Sequence, residues 1–249
     1  MFYLNNMYII TAVLTVLSMT LKPTSLFFSG GNSLMPNLIY SGFIEKLNQI
    51  SNVRPIQNSI SYFSNDNMVN QLLDNDITDV NTFAISHSSG ATTLLNHCSK
   101  FNVDKVILLD PVDNNKLVNK EFPDINKFSD VLVIKAEKSY KWSFDKLRKN
   151  ILLIPNVRIP FIPLGKLDTD VFNNKTEIII KDFGHCDILD QPYNDYMHNS
   201  FSEGNDNRDL LPLYKSKIVE IIDLFINNKL NEDTLNSTFL NCGINYSIE

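Results

Sequence analysis

The chain has 249 residues, of which 43% are hydrophobic and 10% aromatic, and this predicts one globular α/β domain with a sizeable core. Its formal net charge of −6 and the lack of any basic stripe argue against a nucleic-acid partner. The three cysteines, Cys98, Cys186 and Cys242, are widely spaced and form no C-x-x-C pair, so neither a disulfide framework nor a zinc signature is present.

The first 22 residues contain the most apolar stretch, residues 7–21. At 15 residues this stretch is shorter than the roughly 20 residues that a membrane span needs, and no positively charged segment precedes it. Its Ile, Val and Thr content suits a buried strand. Two interpretations stay open: a packed strand, or a signal peptide or membrane anchor that would give the protein a membrane contact.

Residues 23–229 alternate apolar strands with amphipathic helices, which predicts a mostly parallel sheet with helices on both faces. The strands are expected at residues 26–28, 53–62, 82–85, 105–109, 131–134 and 177–180, and the helices at 38–50, 68–73, 91–95 and 217–228. The polar residues 191–208 are predicted to form a mobile loop, and residues 230–249 a tail of unclear role.

The first strand runs directly into Ser29-Gly30-Gly31-Asn32. Glycines at this point let backbone N–H groups turn toward the sheet edge, where an oxyanion hole holds the charge that develops on an attacked carbonyl. The amide of Gly31 or of Asn32 is the candidate donor. The alternative is an ordinary turn between a strand and a helix.

The strand at 82–85 ends in Ser86-His87-Ser88-Ser89-Gly90, and a helix follows. A nucleophile elbow holds its serine in a strained backbone conformation, so the residues two positions before and after it must be small. Ser86 and Gly90 meet this requirement, although Ser86 departs from the usual G-x-S-x-G pattern. Ser88 is therefore the candidate nucleophile, and the backbone amide of Ser89 is a second oxyanion donor.

Two further polar residues follow later strands. Asp110 comes directly after the strand at 105–109 and His185 follows the strand at 177–180, so the chain order is serine, acid, histidine, as in the α/β-hydrolase fold. Glu137 and Asp113 stay open as alternative acids. Taken singly, Asp110 suits a turn cap and His185 a loop histidine, and it is the joint pattern that favours catalysis.

The other histidines, His87, His97 and His198, are assigned structural or surface roles. Cys186 lies beside His185, but no second pair of ligands accompanies them, so no metal site is predicted.

The connection at residues 139–174 is long and rich in large apolar side chains and prolines. We expect part of it to cover the active site and to bind the apolar part of a substrate, with Trp142 and Phe161 as candidate contacts. The alternative is that these residues only complete the core.

Three motifs together support a family resemblance: Ser86-His87-Ser88-Ser89-Gly90, LDPVD at residues 109–113, and KDFGHCDILD at residues 181–190. Over residues 26–190 the chain resembles the α/β-hydrolases, and among them most the chlorophyllase-like esterases, which are related to dienelactone hydrolases and cutinase-like enzymes. The resemblance implies a serine ester hydrolase without a cofactor, with Ser88 as nucleophile, Asp110 as acid and His185 as base.

Two departures from that family bear on the substrate more than on the chemistry. The family usually has His-Gly where this chain has Ser29-Gly30-Gly31, and Gly where it has Ser86. The expected substrate is a small ester with an apolar part. An inactive binding protein of the same fold and a scaffold tethered to a membrane by residues 7–21 are the alternatives.

Overall fold

The computed structural model describes residues 22–33, 35–56, 82–100, 103–115, 121–122, 125, 127–140, 165–201 and 204–249. Several features considered in the sequence lie outside these ranges: the apolar residues 7–21, the helix expected at 68–73, and both Trp142 and Phe161.

The described strands form one sheet in the order β2-β1-β3-β4-β5-β6-β7. Neighbouring strands are parallel except for β7, which pairs antiparallel with β6. The strands are β1 (Thr24–Phe28), β2 (Asn52–Ile56), β3 (Thr82–His87), β4 (Lys105–Leu109), β5 (Asp130–Ala136), β6 (Lys175–Ile180) and β7 (Tyr246–Ile248).

Side chains alternate between the two faces of the sheet, so β1, β3, β4 and β5 each contribute to two separate hydrophobic clusters. One cluster takes Phe27, Ile85, Ile107, Leu132 and Ile178. The other takes their sequence neighbours Leu26, Ala84, Val106 and Val131. This double burial explains why the strands read as nearly continuous apolar runs.

Helices cover both faces. The α-helices are α1 (Gly30–Ser33), α2 (Ser41–Leu47), α3 (Gly90–Asn96), α4 (Tyr193–Phe201), α5 (Leu211–Ile226) and α6 (Glu232–Phe239). The apolar residues of α2, α5 and α6 belong to the first cluster, and those of α3 to the second. The expectation of a mostly parallel sheet with helices on both faces is confirmed, and the arrangement fits an α/β-hydrolase-type fold.

Two segments differ from the sequence expectations. Residues 191–208 do not form a loop, because Tyr193–Phe201 is the helix α4 and Arg208–Leu210 is a 3-10 turn. Arg208 holds this segment by ion pairs with Asp187 and Asp195. The residues of α4 are mostly polar, and this low apolar content is why the sequence predicted a loop here and not a helix.

Residues 230–249 add the helix α6 and the edge strand β7. A capping box starts α6, in which Asn231 Oδ1 accepts a hydrogen bond from Thr234 N at 2.9 Å and Thr234 Oγ1 accepts one from Asn231 N at 3.0 Å. Strand β7 then pairs along the free side of β6. None of the helices in the described ranges has the length and apolarity that a membrane crossing requires.

Candidate active site

Three side chains meet at the carboxyl ends of β3, β4 and β6, the edge where open α/β sheets place their sites. Ser88 Oγ lies 2.7 Å from His185 Nε2. On the other side of the imidazole, His185 Nδ1 lies 3.3 Å from Asp110 Oδ2. All three residues are buried. The structure therefore brings together the serine, acid and histidine that the motifs singled out.

Ser88 occupies a sharp turn between β3 and α3. Its φ of 56° lies in the left-handed region, which non-glycine residues seldom adopt. Hydrogen bonds hold this conformation, since Ser88 N donates to Leu109 O at 3.0 Å and Ser88 O accepts from Ala91 N and Val112 N at 3.1 Å each. The serine is thus fixed at the apex by the end of the neighbouring strand β4.

Gly90 allows the turn to pass close to β1. A Cβ atom at this position would lie 2.3 Å from the carbonyl oxygen of Phe28 and 2.5 Å from that of Ser29. No side chain fits there, so the small residue after the elbow serine has a direct steric cause. Ser86, on the other side, is fully buried within β3.

Asp110 is held as firmly as Ser88. Its φ is 46°, and its backbone N–H donates to Ile134 O at 2.8 Å. Its Oδ1 accepts a hydrogen bond from Ala136 N at 2.9 Å, and its Oδ2 accepts one from the hydroxyl of Ser139. Ser139 is a residue of the site that sequence reasoning did not identify, although it begins the segment expected to cover the site.

The two alternative acids lie elsewhere. Glu137 Oε2 accepts a hydrogen bond from Asp182 N at 3.2 Å, its Oε1 lies 3.9 Å from Lys181 Nζ, and the side chain is 36% exposed. Asp113 Oδ1 accepts from Asn115 N at 2.9 Å, which is a local turn contact. Of the three carboxylates considered, Asp110 is the one in contact with His185.

A short loop after β6 carries His185, and hydrogen bonds to the carboxylates of Asp187 and Asp190 hold this loop in place. Asp187 Oδ2 accepts hydrogen bonds from Gly184 N at 2.9 Å and Asn205 N at 2.7 Å. Burial raises the pKa of Asp187, and these hydrogen bonds only partly offset the effect. Asp190 Oδ2 reaches across to α2, where it accepts from Gly42 N at 2.7 Å.

The loop after β1 passes beside the nucleophile. A Cβ atom on Gly30 would lie 3.3 Å from Ser88 Cβ, so only a glycine allows this approach without displacement. Gly30 N donates to the hydroxyl of Tyr40 at 3.0 Å. Gly31 follows with a φ of 61°, and Ser89 lies at the start of α3. Ser89 directly follows Ser88, and Gly31 and Asn32 directly follow Gly30. The oxyanion donors expected at Ser89 and at Gly31 or Asn32 stay a prediction.

His87 plays a larger part in this region than the sequence suggested. It is buried, and its imidazole touches both Tyr40 and the backbone of His185. Burial, together with the nearby His185, lowers the pKa of His87 from its usual 6.5 to about 3, so this ring is neutral. His97 and His198 lie apart from the site, His97 against Thr93 O and His198 near Asp206.

The described residues contain no group of three or more His, Cys, Asp or Glu side chains that could hold a metal ion. In this geometry Ser88 Oγ can pass its proton to His185 Nε2 and form a bond to carbon, while Asp110 can orient the imidazole. The arrangement is suited to nucleophilic attack by the serine.

Comparisons with known proteins add a structural likeness. No protein-family model matches the chain, and no curated protein matches it either. Among solved structures, the esterase domain of a Rhodothermus marinus protein is similar, with 11% sequence identity and a TM-score of 0.44, over 83% of this chain and 88% of that one. A likeness this distant says nothing about the reaction of this chain.

Proposed function

We propose that this protein is a serine hydrolase that cleaves a carboxylic ester through an acyl-serine intermediate. The observation that carries the proposal is the 2.7 Å contact between Ser88 Oγ and His185 Nε2 at a strained turn, with Asp110 behind the imidazole. A serine hydroxyl is a weak nucleophile, and an adjacent base that removes its proton is what activates it.

In the first half of the reaction, Ser88 Oγ attacks the ester carbonyl while His185 Nε2 takes the hydroxyl proton. The imidazolium is stabilised by Asp110, which also fixes the orientation of the ring. The negative charge on the carbonyl oxygen is held by the amides of Ser89 and of Gly31 or Asn32. The tetrahedral intermediate then expels the alcohol, which takes the proton from His185.

In the second half, a water molecule attacks the acyl-serine. His185 takes a proton from this water and returns it to Ser88 Oγ as the carboxylic acid leaves. No cofactor takes part in this scheme. Every proton transferred moves between Ser88, His185, the water and the two products.

We further propose that the reaction class is that of the chlorophyllase-like esterases and their dienelactone-hydrolase relatives. The support is the LDPVD and KDFGHCDILD motifs, which supply Asp110 and His185. The substrate is then a small ester with an apolar part. Trp142 and Phe161, in the apolar segment at 139–174, are the proposed contacts for that part.

The test is covalent labelling of the purified protein with a fluorophosphonate probe. The parent protein should be labelled at Ser88, and Ser88→Ala and His185→Ala should both abolish labelling because the two side chains act as one unit. Ser237→Ala, which changes an exposed serine of α6, is the matched control and should be labelled like the parent.

Two results would contradict the proposal. A parent protein that no fluorophosphonate labels would favour the inactive binding protein. Labelling that survives in Ser88→Ala would place the nucleophile elsewhere. Hydrolysis of a panel of esters with acyl and alcohol parts of different size then identifies the preferred substrate. Fractionation of cells tests the membrane tether through residues 7–21.

A further inference from the structure

A chain of buried hydrogen bonds joins four segments around the candidate active site. Gly30 N lies 3.0 Å from the hydroxyl of Tyr40, and this hydroxyl lies 2.8 Å from His87 Nδ1. On the far side of the ring, His87 Nε2 lies 2.9 Å from the backbone carbonyl oxygen of His185. Gly30 begins α1, Tyr40 ends a 3-10 turn (Asn37–Tyr40) before α2, His87 ends β3, and His185 lies in the loop after β6.

The chemistry of the end groups sets the direction of every bond in this chain. A carbonyl oxygen only accepts, so His87 Nε2 must carry the proton that it donates to His185 O. A neutral imidazole with its proton on Nε2 has an acceptor at Nδ1, and the Tyr40 hydroxyl must donate to it. The oxygen of that hydroxyl in turn accepts the N–H of Gly30.

We propose that Tyr40 and His87 are positioning residues, which hold the base His185 and the segment of the proposed oxyanion donor, Gly31 or Asn32, in a fixed relation to Ser88. The inference rests on the proposed function, since it concerns the same site. His87 directly precedes Ser88, and Gly30 directly precedes Gly31. One continuous chain therefore fixes the nucleophile, the base and the oxyanion loop relative to one another.

Packing adds to this constraint. The ring of His87 lies 4.7 Å from that of His185, centroid to centroid, with the planes tilted by 35°. The ring of Tyr40 meets His87 edge-on at 5.6 Å and Phe27 edge-on at 5.2 Å. Tyr40 is 1% exposed and His87 is 3% exposed, so water cannot replace a bond that is removed. Removal of one group from the chain therefore leaves the neighbouring polar group buried without its hydrogen-bond partner.

The first test is kinetic. Tyr40→Phe keeps the ring and removes both hydrogen bonds of the hydroxyl. We expect its fluorophosphonate labelling rate and its kcat for 4-nitrophenyl butyrate to fall on the order of ten- to hundredfold, the size of effect that a misplaced reacting group produces. KM should change less than about twofold, since the ester-binding residues are untouched. Tyr246→Phe removes a hydroxyl bonded to Asn236 at the far edge of the sheet and should leave both rates unchanged.

The second test separates positioning from packing at His87. His87→Gln retains an N–H group that can donate to the His185 carbonyl, whereas His87→Leu retains none. When the proteins are compared at matched thermal stability, kcat should be highest in the parent, lower in His87→Gln and lowest in His87→Leu. The matched control is His97→Gln, which alters a buried histidine bonded to Thr93 O and should not change kcat. Equal rates for the two His87 variants would overturn the proposal.

A third test does not depend on enzymatic activity, so it can separate this proposal from the proposed function. In protein labelled with ¹⁵N-histidine, Tyr40→Phe should shift the Nδ1 resonance of His87 and the ring resonances of His185, while Tyr246→Phe shifts neither. Unchanged His185 resonances in Tyr40→Phe would overturn the positioning role. If Tyr40→Phe shifts those resonances but no fluorophosphonate labels the parent protein, the positioning role is retained and the hydrolase reaction is rejected.

Discussion

Ser88 and Asp110 are two non-glycine residues with left-handed backbone conformations at the ends of adjacent strands, β3 and β4. Such conformations cost about 1–3 kcal/mol each and persist only when their surroundings enforce them. The two turns enforce each other, because Ser88 N donates to Leu109 O and Val112 N donates to Ser88 O. Strain at both positions places both side chains at the edge of the sheet, where they meet His185.

The contacts of Asp110 lead to a prediction about the triad acid. Asp110→Asn keeps the shape and removes the charge that stabilises the imidazolium of His185, so kcat should fall by about 10³–10⁴-fold, as for a triad that loses its carboxylate. Glu137→Gln, which changes a surface contact of Asp182 and Lys181, should alter kcat by less than about threefold. Ester hydrolysis by both variants, with circular dichroism to verify folding, makes the comparison. The reverse ranking would move the acid to the end of β5.

The residues two positions on either side of Ser88 should respond differently to alanine. At Gly90 a Cβ would lie 2.3 Å from Phe28 O, so Gly90→Ala should lower the free energy of unfolding by about 1–3 kcal/mol and slow fluorophosphonate labelling. Ser86 Oγ is buried with no hydrogen-bond partner in the described part of the chain. Ser86→Ala should therefore leave stability equal or slightly higher. Urea unfolding measures both, and equal losses would contradict the steric argument.

At the scale of single residues, the sequence identified Ser88, Asp110 and His185 because each follows an apolar strand within a few positions. It did not identify Ser139 or the role of Tyr40 and His87. Tyr40 and His87 are 47 positions apart, and Ser139 is 29 positions from Asp110, so their contacts follow from the folded arrangement and leave no local pattern. His87 resembles any buried histidine until its two partners are known.

Among the structural elements, the loop that carries His185 relies on ionised carboxylates. Asp190 accepts hydrogen bonds from Ser41 Oγ at 2.8 Å and Gly42 N at 2.7 Å, and it pairs with Lys215 Nζ at 2.5 Å. Burial tends to raise the pKa of Asp190, but the bonds from Lys215, Gly42 and Ser41 outweigh it and hold the pKa below its usual 3.8. One side chain thus joins the histidine loop to α2 and α5.

A prediction about pH follows from the sign of this shift. A carboxyl with a lowered pKa stabilises the folded state above its ordinary pKa, and the contribution is lost as the pH falls through the lowered value. Asp190→Asn should therefore reduce the free energy of unfolding by about 1–3 kcal/mol at pH 7 and by less near pH 3. Asp170→Asn, which changes an 87% exposed partner of Lys175, should have little effect at either pH. Urea titrations at the two pH values measure the free energy of unfolding of each variant. An equal loss of this free energy at both pH values for Asp190→Asn would contradict the prediction.

The sequence predicted some of the strands and helices and missed others. Strands β3 to β6 each contain a run of three or more apolar residues, and these runs predicted their positions. The helices α4 and α6 are mostly polar, and their packing depends on a few residues, among them Leu235 and Phe239. Strand β7 has three residues, and its pairing with β6 defines it more than its composition does.

For the whole molecule, the direction of the strands decides where chemistry can occur. Six of the described strands run parallel and end at one edge, and the candidate catalytic and oxyanion residues follow such ends. The opposite end of the sheet and its two packed faces supply rigidity. A change far from Ser88 can therefore affect the site when it loosens a strand that leads into it. Strand β6 precedes His185, and among the described strands only β7 lies on its outer side.

The last prediction concerns residues 230–249, which close that side. Strand β7 pairs Ile248 with Ile178 and Tyr246 with Ile180, and the segment buries Leu235, Phe239 and Ile244. Each buried side chain contributes about 1.5–3 kcal/mol, and domains of this kind have only about 5–15 kcal/mol in total. A chain that ends at residue 229 should therefore be mostly unfolded or aggregated through the exposed edge of β6. A chain that ends at residue 244 keeps α6 and should have an intermediate urea midpoint. If the 1–229 chain unfolds at the midpoint of the parent, the segment is a dispensable tail.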